Sequence, residues 1–174
     1  MDKSDRDYYL EPKRTGRAFV SPVRYSPTST DHGFYIGVPV TDENGLFQGV
    51  LRVRYRSSLL NQIIKRSNEF GGPASYGILL DEYNIILAHG TNPDWVTHTL
   101  VEPDSSTFEL LQNENRLPPG TDQNEISLNM PDFDEKVRTY TASEPYFTSM
   151  DEAWGEPVEI GMAESSKSAF LKIS

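Results

Sequence analysis

Cysteine is absent from the chain, which excludes thiol catalysis, disulfides and thiolate-bound zinc and leaves the compartment open. Positive charge is scarce as well. Lys and Arg number 16 against 26 Asp and Glu, a formal net charge of -10 over 174 residues. Nucleic acid and anionic membrane are therefore poor partners, because each needs a basic footprint; the plain reading of the acidity is solubility. No apolar run is long enough to cross a bilayer, and Met1-Asp2-Lys3-Ser4-Asp5-Arg6 does not open a signal peptide. If the natural protein is anchored in a membrane, this chain is a piece of it. Catalytic signatures are missing too: there is no Gly-x-Ser-x-Gly, no Walker loop and no Ser-x-x-Lys. Histidines 32, 89 and 98 lack ligand-like spacing, so neither a metal nor another cofactor is expected. Asp132-Phe-Asp134, beside Pro131 and Glu135, reads as a solvated turn rather than an acid–base pair. Asp42-Glu-Asn-Gly45 echoes part of a calcium loop, but the remaining spacing is absent and a hairpin explains it.

What the chain does contain is 36% hydrophobic and 11% aromatic residues, enough for one ordinary domain or two small ones despite a mean hydropathy of -0.55. Its organising stretch runs from Phe34 to Tyr55. Phe34, Ile36, Val38 and Val40 alternate with Tyr35, Gly37 and Pro39, the period of a strand with one buried face. Thr41-Asp-Glu-Asn-Gly45 supplies turn chemistry. The return strand then places Phe47, Gly49, Leu51, Val53 and Tyr55 on one face and Val50, Arg52 and Arg54 on the other. Two arginines on one side of an apolar hairpin are unusual. By exposure alone Arg52 and Arg54 read as a solvated edge face paired with local acids.

Ahead of the hairpin, Ser4 can cap a short helix through Leu10, stopped by Pro12 and Gly16. Residues 17–25 read as a strand with Pro22 at an edge or bulge, and 26–33 as a loop. After the hairpin, Ser57 or Ser58 can cap a helix with Leu59, Leu60, Ile63 and Ile64 on one stripe, and Gly71-Gly-Pro73 breaks the chain. The second half starts again with strands at 75–80 and 85–89 around a turn at Asp81–Asn84. A helix follows, with Ser106 and Glu109 at capping-box spacing. Strands are then expected at 125–130, 136–142 and 157–163, and a helix from Ser166. Antiparallel sheets with helices gathered on one face or end make an α+β architecture.

This order, with these words, resembles the double Cache sensor domains of bacterial and archaeal receptors, tandem PAS-like modules outside the membrane. Arg6-Asp-Tyr-Tyr9 is similar to that family's Arg-x-Trp-Tyr, with Tyr8 in place of the tryptophan, and its next signature tyrosine falls on Tyr25. Val38-Pro-Val, Asn44-Gly45 and Gly49-Val-Leu51 match its hairpin passage. Ile78-Leu-Leu-Asp81, Ile86-Leu-Ala-His89 and Trp154-Gly155 before Val158 resemble strands of its membrane-proximal module. The resemblance implies antiparallel PAS-like sheets with flanking helices. Residues 1–70 would be the C-terminal part of a truncated distal module and 74–174 the proximal one. It implies an extracytoplasmic ligand sensor without catalysis, feeding a histidine kinase, chemoreceptor or cyclase. The family holds a carboxylate through the arginine and a neighbouring tyrosine, and an amine through two aspartates. Here those aspartate positions are Pro27 and Arg54, so an amine-held amino acid is disfavoured and a carboxylate or other anion is favoured. The site the resemblance implies is Arg6, Tyr8, Tyr9, Tyr25, Tyr35 and Arg54. The main alternative is an interaction or homodimerisation domain with a vestigial pocket. A small hydrolase ranks last.

Overall fold

A computed structural model describes residues 5–70, 72–140, 143, 146–165 and 168–173, with backbone alone from 163 onward. The chain divides into two compact units, Met1–Ser57 and Ser58–Ser174. The division falls upstream of the Gly71–Pro73 break chosen from sequence, of which Gly71 lies outside the described residues, as does the proposed cap Ser4.

In the first unit the helix α1 (Asp7–Thr15) precedes strands β1 (Phe19–Val20), β2 (Arg24–Ser26), β3 (Asp31–Thr41) and β4 (Phe47–Arg56). β3 is the spine: β1 and β2 pair antiparallel with successive stretches of it, and β4 pairs with it along nearly its whole length. The expected strand over 17–25 is split because Pro22 has no N–H to give the ladder. Ser21 bridges the gap, its N–H donating to the Tyr35 carbonyl (2.8 Å) and its Oγ accepting from the Tyr35 N–H (2.9 Å). The expected loop at 26–33 is shorter, since β3 already starts at Asp31. At the hairpin tip Asp42 Oδ1 accepts from the N–H groups of Asn44 and Leu46, both at 2.9 Å, and Gly45 takes the positive φ of 79°. A register shift between Val40 and Thr41 pairs Thr41 with Phe47. That bulge turns Phe47 to the face opposite Leu51 and Val53, contrary to simple alternation.

Helix α1 runs through Pro12 instead of stopping there, and ends at Gly16 with φ 65°. Proline at that position leaves the Tyr8 carbonyl without its helical donor. The same carbonyl lies against Gly37 of β3, where a Cβ would collide with its oxygen and crowd Pro12 Cγ at 3.2 Å. Glycine on the sheet and proline in the helix together let the backbones touch.

The second unit starts with α2 (Ser58–Arg66), whose Ile64 is buried with Leu79 and Ala88. Its sheet runs in the order β6 (Ile86–His89), β5 (Tyr76–Leu80), β9 (Ser168–Ile173), β8 (Val158–Ser165), β7 (Tyr146–Ser149), all antiparallel. A C-terminal helix was expected from Ser166; residues 166 and 167 lie outside the described residues, and Ser168–Ile173 is a strand, and a central one, lying between β5 and β8. Helix α3 (Ser105–Asn113) is capped by Asp104, which accepts from the Thr107 N–H at 2.9 Å, rather than by Ser106. The core joins Ile78, Leu80, Ile86, Leu100, Met130, Phe133 and Ile160, all fully buried.

The expected strand at 136–142 is wrong, and Asp132–Asp134 is not a turn: α4 spans Pro131–Thr139. Val137 and Thr139 suggested a strand, but Pro131 at the first turn, acids at 132 and 134 and bases at 136 and 138 are helix grammar. Lys136 pairs with Asp132 (2.7 Å) and Arg138 with Asp134 (2.6 Å), each one turn apart. Its first N–H groups are accepted by Asp151, from Asp132 at 3.1 Å and Phe133 at 2.7 Å. No local sequence window could show that cap.

The polar groups buried in this unit include an arginine and a histidine. The Arg116 side chain, 2% exposed, binds Asp81 (3.2 Å), Glu82 (2.6 Å) and Glu114 (3.1 Å). Burial pushes the Asp81 carboxyl up to about 6, against the pull of the Ile85 and Tyr83 N–H groups and of Arg116. His89 is buried among aromatic rings, and desolvation lowers it from 6.5 to about 4.

Two expectations follow from these packings. Gly37→Ala should destabilise the protein by about 1–3 kcal/mol through overpacking of α1 on β3, measured by urea denaturation. His89 is neutral when folded and becomes protonated first when unfolded, so its contribution is whole above pH 6.5 and is lost as pH falls towards 4. Because the raised Asp81 carboxyl acts in the opposite sense in both proteins, the test is the difference: the stability of the native chain minus that of His89→Asn should fall by on the order of 3 kcal/mol across that window. Parallel pH profiles would contradict it.

Candidate functional site

The residues singled out from sequence lie in the first unit, and its sheet sorts them by face. Cross-strand partners share a face. Tyr35 pairs with Arg54, Gly37 with Arg52 and Gly33 with Arg56, so these side chains are together on the side that α1 covers. Tyr25 pairs with His32, alternate to Gly33, and belongs to the other side, where its ring meets His32 at 5.3 Å. It does not join the clamp expected of it.

On the helix side the centre is Arg52, the arginine assigned a solvated role from sequence. Its guanidinium carbon stands 4.9 Å from the Tyr8 ring centroid and 5.0 Å from that of Tyr35. Its Nη1 donates to Tyr8 Oη at 2.9 Å. The two tyrosine rings themselves are 5.0 Å apart. Such stacking of a guanidinium on aromatic faces is favourable and holds the cation flat. Tyr8 is 8% exposed, and it can reach Arg52 because Gly37 admits its backbone.

Arg54 is already engaged. It crosses Gly33, where a Cβ would stand 2.9 Å from its Nη2, and donates to Asp31 Oδ1 at 2.6 Å. Arg56 Nε approaches the other oxygen of Asp31 at 3.2 Å. The Arg54 hydrogen bond, with another from Ser29, holds the Asp31 carboxyl below its ordinary range. Arg24 is paired with Asp7 at 2.5 Å. Arg6 is the residue before α1, and its guanidinium is 63% exposed beside Asp5 at 3.9 Å. These contacts do not bring Arg6 and Arg54 together: Arg54 shares Asp31 with Arg56, and Arg6 lies beside Asp5. Tyr9 packs edge-on against Phe47 at 5.8 Å, with Lys13 Nζ 6.0 Å from its ring. It is a wall of the helix contact.

Chemically, then, Arg24, Arg54 and Arg56 are neutralised by carboxylates of the chain, whereas Arg52 is held by two rings and a hydroxyl. Its remaining N–H groups form a fork suited to a carboxylate or another planar anion. The reversal between Arg52 and Arg54 had a sequence signal in Gly37, the partner of Arg52, which opens the strand at the level where a helix must approach.

No family model matches the sequence, and no curated protein matches it either. Solved structures do. The sensory domain of the Campylobacter jejuni chemoreceptor Tlp3 superposes with a TM-score of 0.60 at 17% identity, covering 100% of this chain and 55% of that one. The sensor domain of the Vibrio cholerae histidine kinase DctB gives 0.60 at 13% identity, covering 99% and 61%. The ligand-binding domain of the Pseudomonas aeruginosa amino-acid chemoreceptor PctC, solved with GABA, gives 0.54 at 14% identity, covering 100% and 63%. The chain spans a little over half the length of the structures it matches. Two antiparallel sheets with flanking helices, matched across the whole chain by these domains, are the fold of the double Cache sensors.

Proposed function

We propose that the chain is the sensory part of a membrane-anchored signal-transduction receptor, lying outside the cytoplasm and without catalysis of its own. In this reading the first unit is the C-terminal part of a distal module and the second a proximal one. The first unit takes a small carboxylate or similar anion on Arg52, between the rings of Tyr8 and Tyr35. The observation that carries it is the Arg52 guanidinium, ordered by two rings and one hydroxyl and lacking a carboxylate partner among the described residues. The GABA held by PctC is a carboxylate, but an amine has no counterpart acid here, since Arg54 stands where the family places an aspartate.

A ligand gripping Arg52 of β4 and Tyr8 of α1 would tighten the helix on the sheet. It can shift a receptor equilibrium only by its difference in affinity for the two states. Calorimetry with acetate, propionate, succinate and GABA tests the site. One of the acids should bind, Arg52→Ala should weaken it tenfold or more, and Arg54→Ala should leave it nearly unchanged. A folded chain silent to the whole panel, or an Arg52→Ala variant that binds like the native chain, would sink the reading.

A second reading is favoured by the opposite face of the same sheet. Val38, Val40, Leu51, Val53 and Tyr55 are 37–61% exposed there, an apolar surface fit for a homodimer or protein partner. Light scattering over a concentration series should show dimers that Leu51→Glu disperses. A monomer at every concentration would remove the homodimer.

A further inference from the structure

The second unit holds a buried donor that its own fold does not use. His89, at the end of β6, is 1% exposed. Its Nδ1 accepts from the Asn92 N–H at 2.9 Å and from the Thr91 N–H at 3.3 Å. Nδ1 is therefore unprotonated, and in the neutral ring the proton sits on Nε2. Nε2 is buried and has no hydrogen-bond partner among the described residues. Such donors are rare in native structures and call for a reason.

The surroundings of His89 are aromatic. Tyr76 of β5 lies 5.0 Å away at a 35° tilt, and Trp95 meets the imidazole edge to face at 5.0 Å. Trp95 in turn touches Trp154 at 5.4 Å. Trp154 is fixed, its indole N–H donating to Ser149 Oγ at 2.9 Å. The Trp95 side chain rides on a single 3-10 turn, Pro93–Trp95, within a strap bonded at both ends and, through Thr91 and Asn92, to His89 itself. Gly90 N–H donates to the Gly77 carbonyl (2.8 Å) at one end, and Thr97 N–H to the Ile86 carbonyl (2.8 Å) at the other. Tyr76 and Trp95 are the rings packed on His89, and an aromatic ring is a much weaker acceptor than a carbonyl or ring nitrogen.

We propose that the second unit carries a second small-molecule site under this strap, in which a flat, uncharged ligand displaces Trp95, lies against Trp154 and accepts the Nε2–H of His89. The ligand class follows from the groups present. A neutral imidazole offers one donor and no charge, so a buried carboxylate would be left unpaired, whereas an amide, ketone or aromatic nitrogen would be satisfied. This site is independent of the anion site on Arg52, and either can fail without the other.

Trp95 and Trp154 are the chain's two tryptophans, so indole emission reports on this place alone. Titration of the whole chain with benzamide, flat and neutral with a carbonyl acceptor, should give a saturable change in tryptophan fluorescence. Toluene, similar in shape without an acceptor, should bind tenfold or more weakly. His89→Asn keeps an acceptor for the Asn92 N–H, but its amide is too short to place an N–H where Nε2 stood, and it should weaken benzamide by a similar factor. Independently of any variant, the Nε2–H resonance of His89 in nitrogen-15-labelled native chain should shift on benzamide addition. No saturable fluorescence change, equal response to toluene, undiminished binding by a folded His89→Asn, or an unmoved Nε2–H resonance would each overturn the site.

Discussion

One backbone contact governs the first unit: the Tyr8 carbonyl of α1 set down on Gly37 of β3. A helix normally keeps its carbonyls for its own N–H groups and approaches a sheet at side-chain distance. Here Pro12 removes the donor that Tyr8 would have used, and Gly37 removes the side chain that would have kept the helix away. With the backbones in contact, the Tyr8 side chain is carried down to the sheet, and its hydroxyl meets Arg52 on the neighbouring strand. That approach is what sets Arg52, itself exposed, against two tyrosine rings and a hydroxyl.

The same contact explains which parts of the site were legible beforehand. The hairpin, its Asn44-Gly45 tip and the alternation of its faces follow from period and turn chemistry, which act between near neighbours in sequence. That the tyrosines of Arg6-Asp-Tyr-Tyr9 point at the hairpin was also accessible, through family likeness. Their partner was not, because it depends on how a helix registers on a strand twenty-nine residues further on (Tyr8 to Gly37). The bulge beside Val40 was equally hidden, and it is what sends Phe47 to Tyr9 instead of to Leu51.

Misreadings in the second unit have the same origin. Helix α4 was taken for a strand because Val137 and Thr139 have strand propensity, a weak preference that tertiary context overrides. What settles the helix is an acid from far along the chain, Asp151, taking up the first N–H groups of α4, together with Phe133 in the core. The last residues read by themselves as the beginning of a helix. Yet Ser168–Ile173 supplies the middle strand of the sheet, bonded to β5 and β8, and without it those two would have no common neighbour. A segment of six residues is too short for its period to decide between the two forms, so pairing does.

Why Arg52 and not Arg54 should receive an anion is a question of what each must give up. Arg54 is closed on Asp31 by a 2.6 Å bond, and Asp31 is shared with Arg56 and Ser29. An incoming carboxylate would have to displace an acid already in place and leave that acid to other partners, so the exchange gains little. Arg52 pays no such toll. Its contacts are to ring faces and to a neutral hydroxyl, which orient the fork without satisfying its charge, and a carboxylate arriving in the plane of the guanidinium adds bonds without breaking the stack. The paired arginines still matter, because Arg24 on Asp7 and Arg54 on Asp31 offset two carboxylates of this unit. In a chain whose net charge is -10, that pairing would lessen the repulsion met by the anion proposed for Arg52.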